Sequence, residues 1–336
     1  MPLSQTRKII IGTIIGVSAF CALFLWQGIE AVGTLLGQGG LPLLFVCLFA
    51  PVEQWLASEG WRVLFPRGRR PTTIRTLLAS WMGSAVNTLL PVATIGGELA
   101  KTRILIRNGQ PTGPTVAIMF VDKTAQALAV ALWGVFGVLI LAVNVGDIAV
   151  ASSAFFGACL LLLGIIIFAL LQKQGVLGTL VSRILEHLGL DRELKWRGGL
   201  ESMDDAFREL YQDRFRLIAA VSWRIVQRVF LVGEVVLVGF LVGLPIGLLE
   251  AVILKGIIGA LRGAAFAVPG GFGIQEGGYV AIGALLGHPA DLMLVVSLAT
   301  RIREILPSIP MLILWQMTEA RKLLGIDRSE VSKDAL

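Results

Sequence analysis

Residues 114–143 read PTVAIMFVDKTAQALAVALWGVFGVLILAV, and this stretch decides the fold class. It is longer than the roughly 20 residues that an α-helix needs to cross about 30 Å of hydrocarbon. Its charged residues are Asp122 and Lys123, near one end. Further apolar runs close to the length needed for one crossing occupy residues 9–26, 41–56, 148–171, 217–242 and 292–316. We therefore predict an all-α polytopic membrane protein with about six full transmembrane helices.

The composition supports a membrane environment. Hydrophobic residues make up 55% of the chain, charged residues 15%, and the mean hydropathy is +0.80, whereas soluble domains carry about 25% charged residues. Neither the separated cysteines nor the two histidines have the spacing of a metal, disulfide or catalytic site, so no metal or cofactor is expected. Basic loops facing an anionic inner leaflet account for the net charge of +6, and no nucleic-acid partner is expected.

Two short segments repeat one pattern inside apolar sequence. Residues 91–98 read PVATIGGE and residues 269–276 read PGGFGIQE. Each begins at a proline, passes through glycines and places a glutamate, Glu98 or Glu276, seven residues after the proline. Broken, charged segments in corresponding halves of a membrane protein point to a transport site. Structural breaks are expected at Pro91, Gly96, Gly97, Pro269, Gly270 and Gly271.

The distribution of lysine and arginine predicts the topology. Loops rich in lysine and arginine alternate along the chain with loops that contain neither residue. The positive-inside rule places the basic loops, and with them both termini, in the cytoplasm. This assignment requires residues 74–97 and 247–286 to form broken or re-entrant helical hairpins that enter from opposite faces, an inverted arrangement. Residues 1–320 would form a single transmembrane domain, followed by a short cytoplasmic tail at residues 321–336.

Residues 172–216 form the longest polar stretch and are predicted to be a cytoplasmic amphipathic segment. Apolar residues follow helical spacing between residues 176 and 188. A helix lying on the inner leaflet explains this pattern. A docking surface for a soluble partner is the alternative.

Polar residues inside the apolar runs are the candidate site residues. Glu98 and Glu276 are expected to bind a polar headgroup or to exchange protons; alternatively, each caps a half-helix or pairs with a nearby cation. Asn87 lies four residues before Pro91 and can either satisfy the broken backbone or contact substrate. Asp122 and Gln126 share a helix face, and Asp122 can equally form a structural ion pair.

A second group of charged residues is expected to act as counter-charges that hold a substrate pathway through the membrane domain open. It comprises Arg262, Arg301, Arg303 and Glu304. Arg301 and Glu304 lie three residues apart and can satisfy each other, whereas Arg303 points elsewhere and needs another partner.

The motifs around Asn87, Glu98, Asp122, Glu276 and Arg301-Ile-Arg303-Glu304 resemble the flippase-like membrane family that includes the transmembrane region of lysylphosphatidylglycerol synthetases. The resemblance covers nearly the whole chain. Many relatives carry an arginine in the first motif and another just before the second glutamate. Here the first motif is longer, with Gly96-Gly97, and Gln275 stands in the second arginine's place. This variant looks most like the hopanoid-biosynthesis-associated HpnL-type branch.

The resemblance implies a lipid flippase-like transporter in a bacterial inner membrane. Its cargo would be a hopanoid or another weakly charged lipid, because losing both arginines weakens the grip on an anionic phosphate. Proteins of lipid biosynthesis or export would be its partners. The chain carries no phosphate-binding loop, metalloprotease motif or serine-nucleophile elbow, so no catalytic residue is assigned and an enzyme is not expected. A lipid-modifying enzyme or accessory and a secondary transporter of small solutes are the alternatives, and the oligomeric state stays open.

Overall fold

The computed structural model describes residues 40–90, 95–145, 163–164, 167, 170, 197–264 and 273–323. Within these residues the regular structure is helical and no strand occurs, which confirms the predicted all-α membrane class. We number the helices in chain order: α1 (Leu41–Arg62), α2 (Thr73–Leu89), α3 (Ile95–Arg107), α4 (Thr112–Val145), α5 (Arg197–Gln212), α6 (Arg214–Val242), α7 (Leu248–Ala264), α8 (Ile274–Leu285), α9 (Ala290–Ile305) and α10 (Ser308–Leu323).

Three of the described helices are long and apolar enough to cross a membrane. They are α1, α4 over Thr112–Val143, and α6. They match the spans predicted at residues 41–56, 114–143 and 217–242. Large apolar side chains along α4, such as Phe136 and Leu139, are exposed on the protein surface, as expected for helices that face lipid. The spans predicted at residues 9–26 and 148–171 lie outside the described residues, apart from isolated helical positions between 163 and 170.

The span predicted over residues 292–316 is helical but interrupted. The structure has two helices there, α9 and α10, separated at Leu306 and Pro307. The last backbone bond of α9 runs from the Leu306 N–H to the carbonyl of Ile302 at 2.9 Å. Pro307 has no N–H and cannot continue the ladder. The apolar composition of the run did not predict this interruption of the helix.

Two pairs of packed helices lie at the predicted hairpins; the second pair falls within residues 247–286, whereas the first extends past the predicted end at residue 97, because α3 continues to Arg107. α2 packs against α3, and α7 packs against α8. These helices have 12 to 17 residues, fewer than the roughly 20 needed for a full crossing. Pro91, Pro269, Gly270 and Gly271 lie outside the described residues. Gly96 and Gly97 were expected to break the helix, but α3 already begins at Ile95, so both lie in its first turn.

Gly97 instead allows α2 and α3 to approach closely. A Cβ at Gly97 would lie 2.5 Å from the Cγ and Oδ1 atoms of Asn87 and would collide with the carbonyl oxygen of Gly83. The Gly97 N–H donates to Asn87 Oδ1 at 2.8 Å. Since the first N–H groups of a helix have no partner within it, Asn87 satisfies one of them. The contact is structural, but it differs from the one expected: Asn87 accepts an N–H of α3 and was expected to satisfy the carbonyl that Pro91 leaves free.

Gly97→Ala should therefore weaken the hairpin. Overpacking at such a contact costs about 1–3 kcal/mol of the free energy of unfolding, and we expect a lower thermal unfolding midpoint in detergent. Gly277→Ala in α8 is the matched control, because a Cβ there meets nothing within 4 Å. Equal midpoints for both variants would contradict the proposed close approach.

One of two main apolar cores among the described residues joins the first turns of α1 with α6, α7, α8 and α9. Val235, Leu254 and Met293 are fully buried at its centre. A second core joins α4, α5 and α6 with the end of α1, around Trp61 and Phe207. Together these cores hold α4, α6 and α7 side by side, and the polar faces of these helices meet between them.

The helix α5 occupies the second half of the polar segment 172–216. Its apolar residues Met203, Phe207 and Leu210 are buried against protein, with α4 as its main neighbour. Asp213 then caps α6 by accepting the Arg216 N–H at 3.1 Å. Hydrogen bonds from Arg216 hold the pKa of the Asp213 carboxyl below its ordinary value, so the cap stays negative at the positive end of the helix dipole. The predicted surface helix at residues 176–188 lies outside the described residues.

Candidate functional site: a charged cavity between the helices

A cavity of about 380 Å³ lies between the helices. Every helix from α1 to α4 and from α6 to α9 contributes to its wall, and Ser308 at the start of α10 completes it. Ligand pockets in proteins span about 300–1,000 Å³. The volume therefore suits a ligand the size of a lipid headgroup or a small solute.

The wall of this cavity carries more positive than negative groups. Its cations are Lys101, Lys123, Arg224, Arg228, Lys255, Arg262 and Arg303, and its carboxylates are Glu53, Glu98 and Glu304. Two further carboxylates, Asp122 and Glu234, lie fully buried and bind cations of the wall. Seven cations thus face five carboxylates among these residues, a surplus of two positive charges.

Asp122 is the centre of one buried ion cluster. Its carboxylate accepts from Arg224 Nη2 at 2.5 Å and from Lys101 Nζ at 2.9 Å. Lys101 also lies 2.7 Å from Glu98 Oε2, and the second oxygen of Glu98 is 2.6 Å from Lys123 Nζ. The cluster joins α3, α4 and α6. Asp122 was expected along the path, but its side chain is fully buried, and its contacts support the structural ion pair.

Glu234 is the centre of a second cluster, in which a buried carboxylate again binds one lysine and one arginine. It accepts from Arg303 Nε at 2.7 Å and from Lys255 Nζ at 2.6 Å. Arg303 reaches two further carboxylates, Glu53 on α1 and Glu304 on its own helix. The prediction that Arg303 needs a partner outside its helix is confirmed. Each cluster thus binds one buried carboxylate between a lysine and an arginine from two other helices.

Arg301 and Glu304 do not follow the predicted pairing. Arg262 donates to both oxygens of Glu304, at 2.7 and 3.1 Å. Arg301 donates to Glu276 Oε1 from Nη2 at 3.0 Å and from Nε at 3.1 Å. The helical spacing permitted a local pair, but carboxylates and guanidinium groups from neighbouring helices bind these residues instead.

The two motif glutamates have different environments. Glu98 lies on the cavity wall. Glu276 is not among the wall residues; it accepts the Gly273 N–H at 2.7 Å and so caps α8. The structure supports the capping alternative for Glu276. Gln275, just before Glu276 in the second motif, is fully buried and donates to Ser297 Oγ at 2.9 Å.

The structure brings together most of the predicted site residues. The cavity wall includes Asn87, Glu98, Gln126, Arg262, Arg303 and Glu304. Asp122, Glu276 and Arg301 lie outside it. The sequence also indicated a polar interior from intramembrane charges that it did not assign to the site, among them Arg224, Arg228 and Lys255. Of the wall residues, Glu53 and Gln227 were missed altogether; Glu53 is a charge within an apolar run, and that signal could have found it.

Apolar helices that surround a polar, charged cavity define an integral membrane protein with a site inside its membrane domain. Residues 9–310 match the family model described as the lysylphosphatidylglycerol synthase TM region, and the chain belongs to that family. The protein is therefore a multi-pass membrane protein of a lipid-related process. Neither the curated proteins nor the solved structures contained a significant match. The hopanoid-associated branch stays a prediction.

Proposed function

We propose that the protein is a lipid transporter of the bacterial inner membrane, with both termini in the cytoplasm. A lipid headgroup enters the charged cavity and leaves toward the other leaflet or an export partner. The observation that carries this proposal is the charged cavity itself. Charges inside a membrane protein are expensive and mark substrate or ion pathways.

Family membership supports a lipid as the cargo. The cavity suits a headgroup in size, and acyl chains need no polar pathway because hydrocarbon already solvates them. The hopanoid cargo implied by the sequence resemblance stays a prediction, as do partners of lipid biosynthesis. We assign transport rather than catalysis, because the wall residues are organised as ion pairs that link helices and not as a nucleophile with its base.

Glu98→Gln is expected to slow lipid movement about tenfold or more, which corresponds to roughly 1.4 kcal/mol in the barrier. Glu98 is 9% exposed and holds Lys101 and Lys123 through its two oxygens. A glutamine cannot neutralise these lysines: Lys101 keeps Asp122 as a carboxylate partner at 2.9 Å, whereas Lys123 loses its carboxylate and keeps the Gln126 amide oxygen. The measurement is leaflet-resolved transfer of a fluorescent phospholipid by purified protein in liposomes, with a membrane-impermeant quencher.

Glu209→Gln is the matched control, since the Glu209 side chain on α5 is 61% exposed and lies away from the cavity wall. Wild-type protein that moves no more lipid than protein-free liposomes would refute the transport proposal. Glu98→Gln with the wild-type rate would refute only the role of Glu98. Altered chemical identity of membrane lipids on deletion, with unchanged distribution, would favour a lipid-modifying enzyme. Proton-dependent uptake of a small solute, insensitive to lipid composition, would favour a solute transporter.

A further inference from the structure

Arg228 differs from the other arginines of the cavity wall. Arg224 pairs with Asp122, Arg262 with Glu304, and Arg303 with Glu234 and Glu53. Arg228 lies one turn beyond Arg224 on α6 and lines the cavity. Among the described residues, no side chain forms a hydrogen bond or an ion pair with it, and its Nε atom is buried without a partner.

The charges around Arg228 make this arrangement unfavourable without a counter-ion. The groups that act on it most strongly are one carboxylate, Glu53, and the guanidinium groups of Arg224, Arg262 and Arg303. A guanidinium cannot lose its proton in proteins, so the charge cannot be relieved by neutralisation. Arg228 is half-buried, with its Nε withdrawn from solvent and the residue on the cavity wall, and a charge partly withdrawn from water without a partner is costly. A bound anion in the cavity would remove this cost.

We propose that Arg228 binds the phosphate of an anionic lipid headgroup inside the cavity. The proposal rests on the lipid-transport function above and adds the chemical class of the cargo. The planar guanidinium fork matches phosphate oxygens bidentately, and the surplus of positive charge on the wall favours a net negative headgroup over a neutral one. This differs from the weakly charged cargo that the absence of the motif arginines suggested. The cations of the cavity wall come from α3, α4, α6, α7 and α9 and lie outside the two motifs.

Binding is measured by calorimetry on the purified full chain in detergent, with three short-chain probes. They are dioctanoyl phosphatidylglycerol, dioctanoylglycerol without phosphate, and glycerophosphoglycerol without acyl chains. Arg228→Gln should weaken phosphatidylglycerol binding about tenfold or more, as expected for the loss of a charge-assisted hydrogen bond, and should leave dioctanoylglycerol binding within about twofold. Arg228→Lys keeps the charge but loses the planar guanidinium fork, so its affinity for phosphatidylglycerol should lie between those of the wild type and Arg228→Gln. Arg208→Gln is the control, because its side chain on α5 is 65% exposed.

Stability separates this role from a structural one. Because Arg228→Gln removes an unpaired charge, its thermal unfolding midpoint should equal or exceed that of the wild type. A lower midpoint together with unchanged phosphatidylglycerol affinity would overturn the proposal, as would equal wild-type affinity for phosphatidylglycerol and dioctanoylglycerol. Glycerophosphoglycerol that binds as tightly as the lipid would identify a soluble anion as the ligand and overturn the lipid assignment. Binding through Arg228 without lipid movement in liposomes would refute the transport function and leave this inference standing.

Discussion

Replacing Asp122 with asparagine is expected to remove about 3–5 kcal/mol from the free energy of unfolding, as breaking a buried ion pair usually does. The substitution keeps the shape of the side chain and removes its charge. Lys101 retains Glu98 as a partner at 2.7 Å. Arg224 loses its carboxylate partner in the described structure, and a guanidinium cannot be neutralised. Since domains are stable by only about 5–15 kcal/mol, the substitution should remove a large fraction of the total stability.

The measurement for Asp122→Asn is the yield of monodisperse protein in mild detergent, followed by the thermal unfolding midpoint. Asp205→Asn is the matched control, because the Asp205 side chain is 79% exposed. Adding Arg224→Gln to Asp122→Asn should restore part of the lost stability, since it removes the stranded charge, and the double-mutant cycle isolates the pair. Wild-type stability of Asp122→Asn would contradict the view that this cluster holds α3, α4 and α6 together.

Glu234→Gln is expected to be the second most damaging change, at about 3 kcal/mol. Arg303 keeps Glu53 and Glu304 as carboxylate partners. Lys255 loses its carboxylate and keeps the Thr300 hydroxyl at 3.5 Å. A buried lysine, unlike an arginine, can shed its charge by losing a proton. The loss should therefore be smaller than for Asp122→Asn.

The same yield and unfolding measurements test Glu234→Gln, with Glu209→Gln as its exposed control. Lys255→Met in the Glu234→Gln background should recover stability, because an apolar side chain of similar length replaces the stranded lysine. If Glu234→Gln proves more destabilising than Asp122→Asn, the contrast between stranded lysine and stranded arginine is wrong for this protein.

Local sequence patterns predicted the helices far better than they predicted the ion pairs. The length of apolar runs was sufficient for α1, α4 and α6, because crossing hydrocarbon depends on length and composition alone. The ion pairs join residues far apart in the chain: Asp122 and Arg224 are 102 positions apart, and Glu53 and Arg303 are 250 apart. Helical spacing cannot identify such partners, since they depend on which helices pack together.

The repeated proline-to-glutamate motif also shows that a local pattern does not determine a residue's role. Glu98 and Glu276 follow their prolines at one spacing, which suggested one shared role. In the structure, Glu98 holds two lysines on the cavity wall and Glu276 caps α8 beside Arg301. The pattern correctly marked two short helical hairpins. The function of each carboxylate was decided by the cations that neighbouring helices place beside it.

The interruption at Pro307 separates α9 from α10, and the two helices pack in different parts of the bundle. Beyond it, α10 packs mainly on α2, with Leu312 beside Val86 and Leu89, whereas α9 belongs to the core around Met293. A helix interrupted at proline bends with fewer broken hydrogen bonds than a continuous one. The unit of α2, α3 and α10 carries Glu98, and the unit of α9 carries Arg303. The charged wall of the cavity is thus assembled from both units, and the chain passes from one to the other at Leu306 and Pro307.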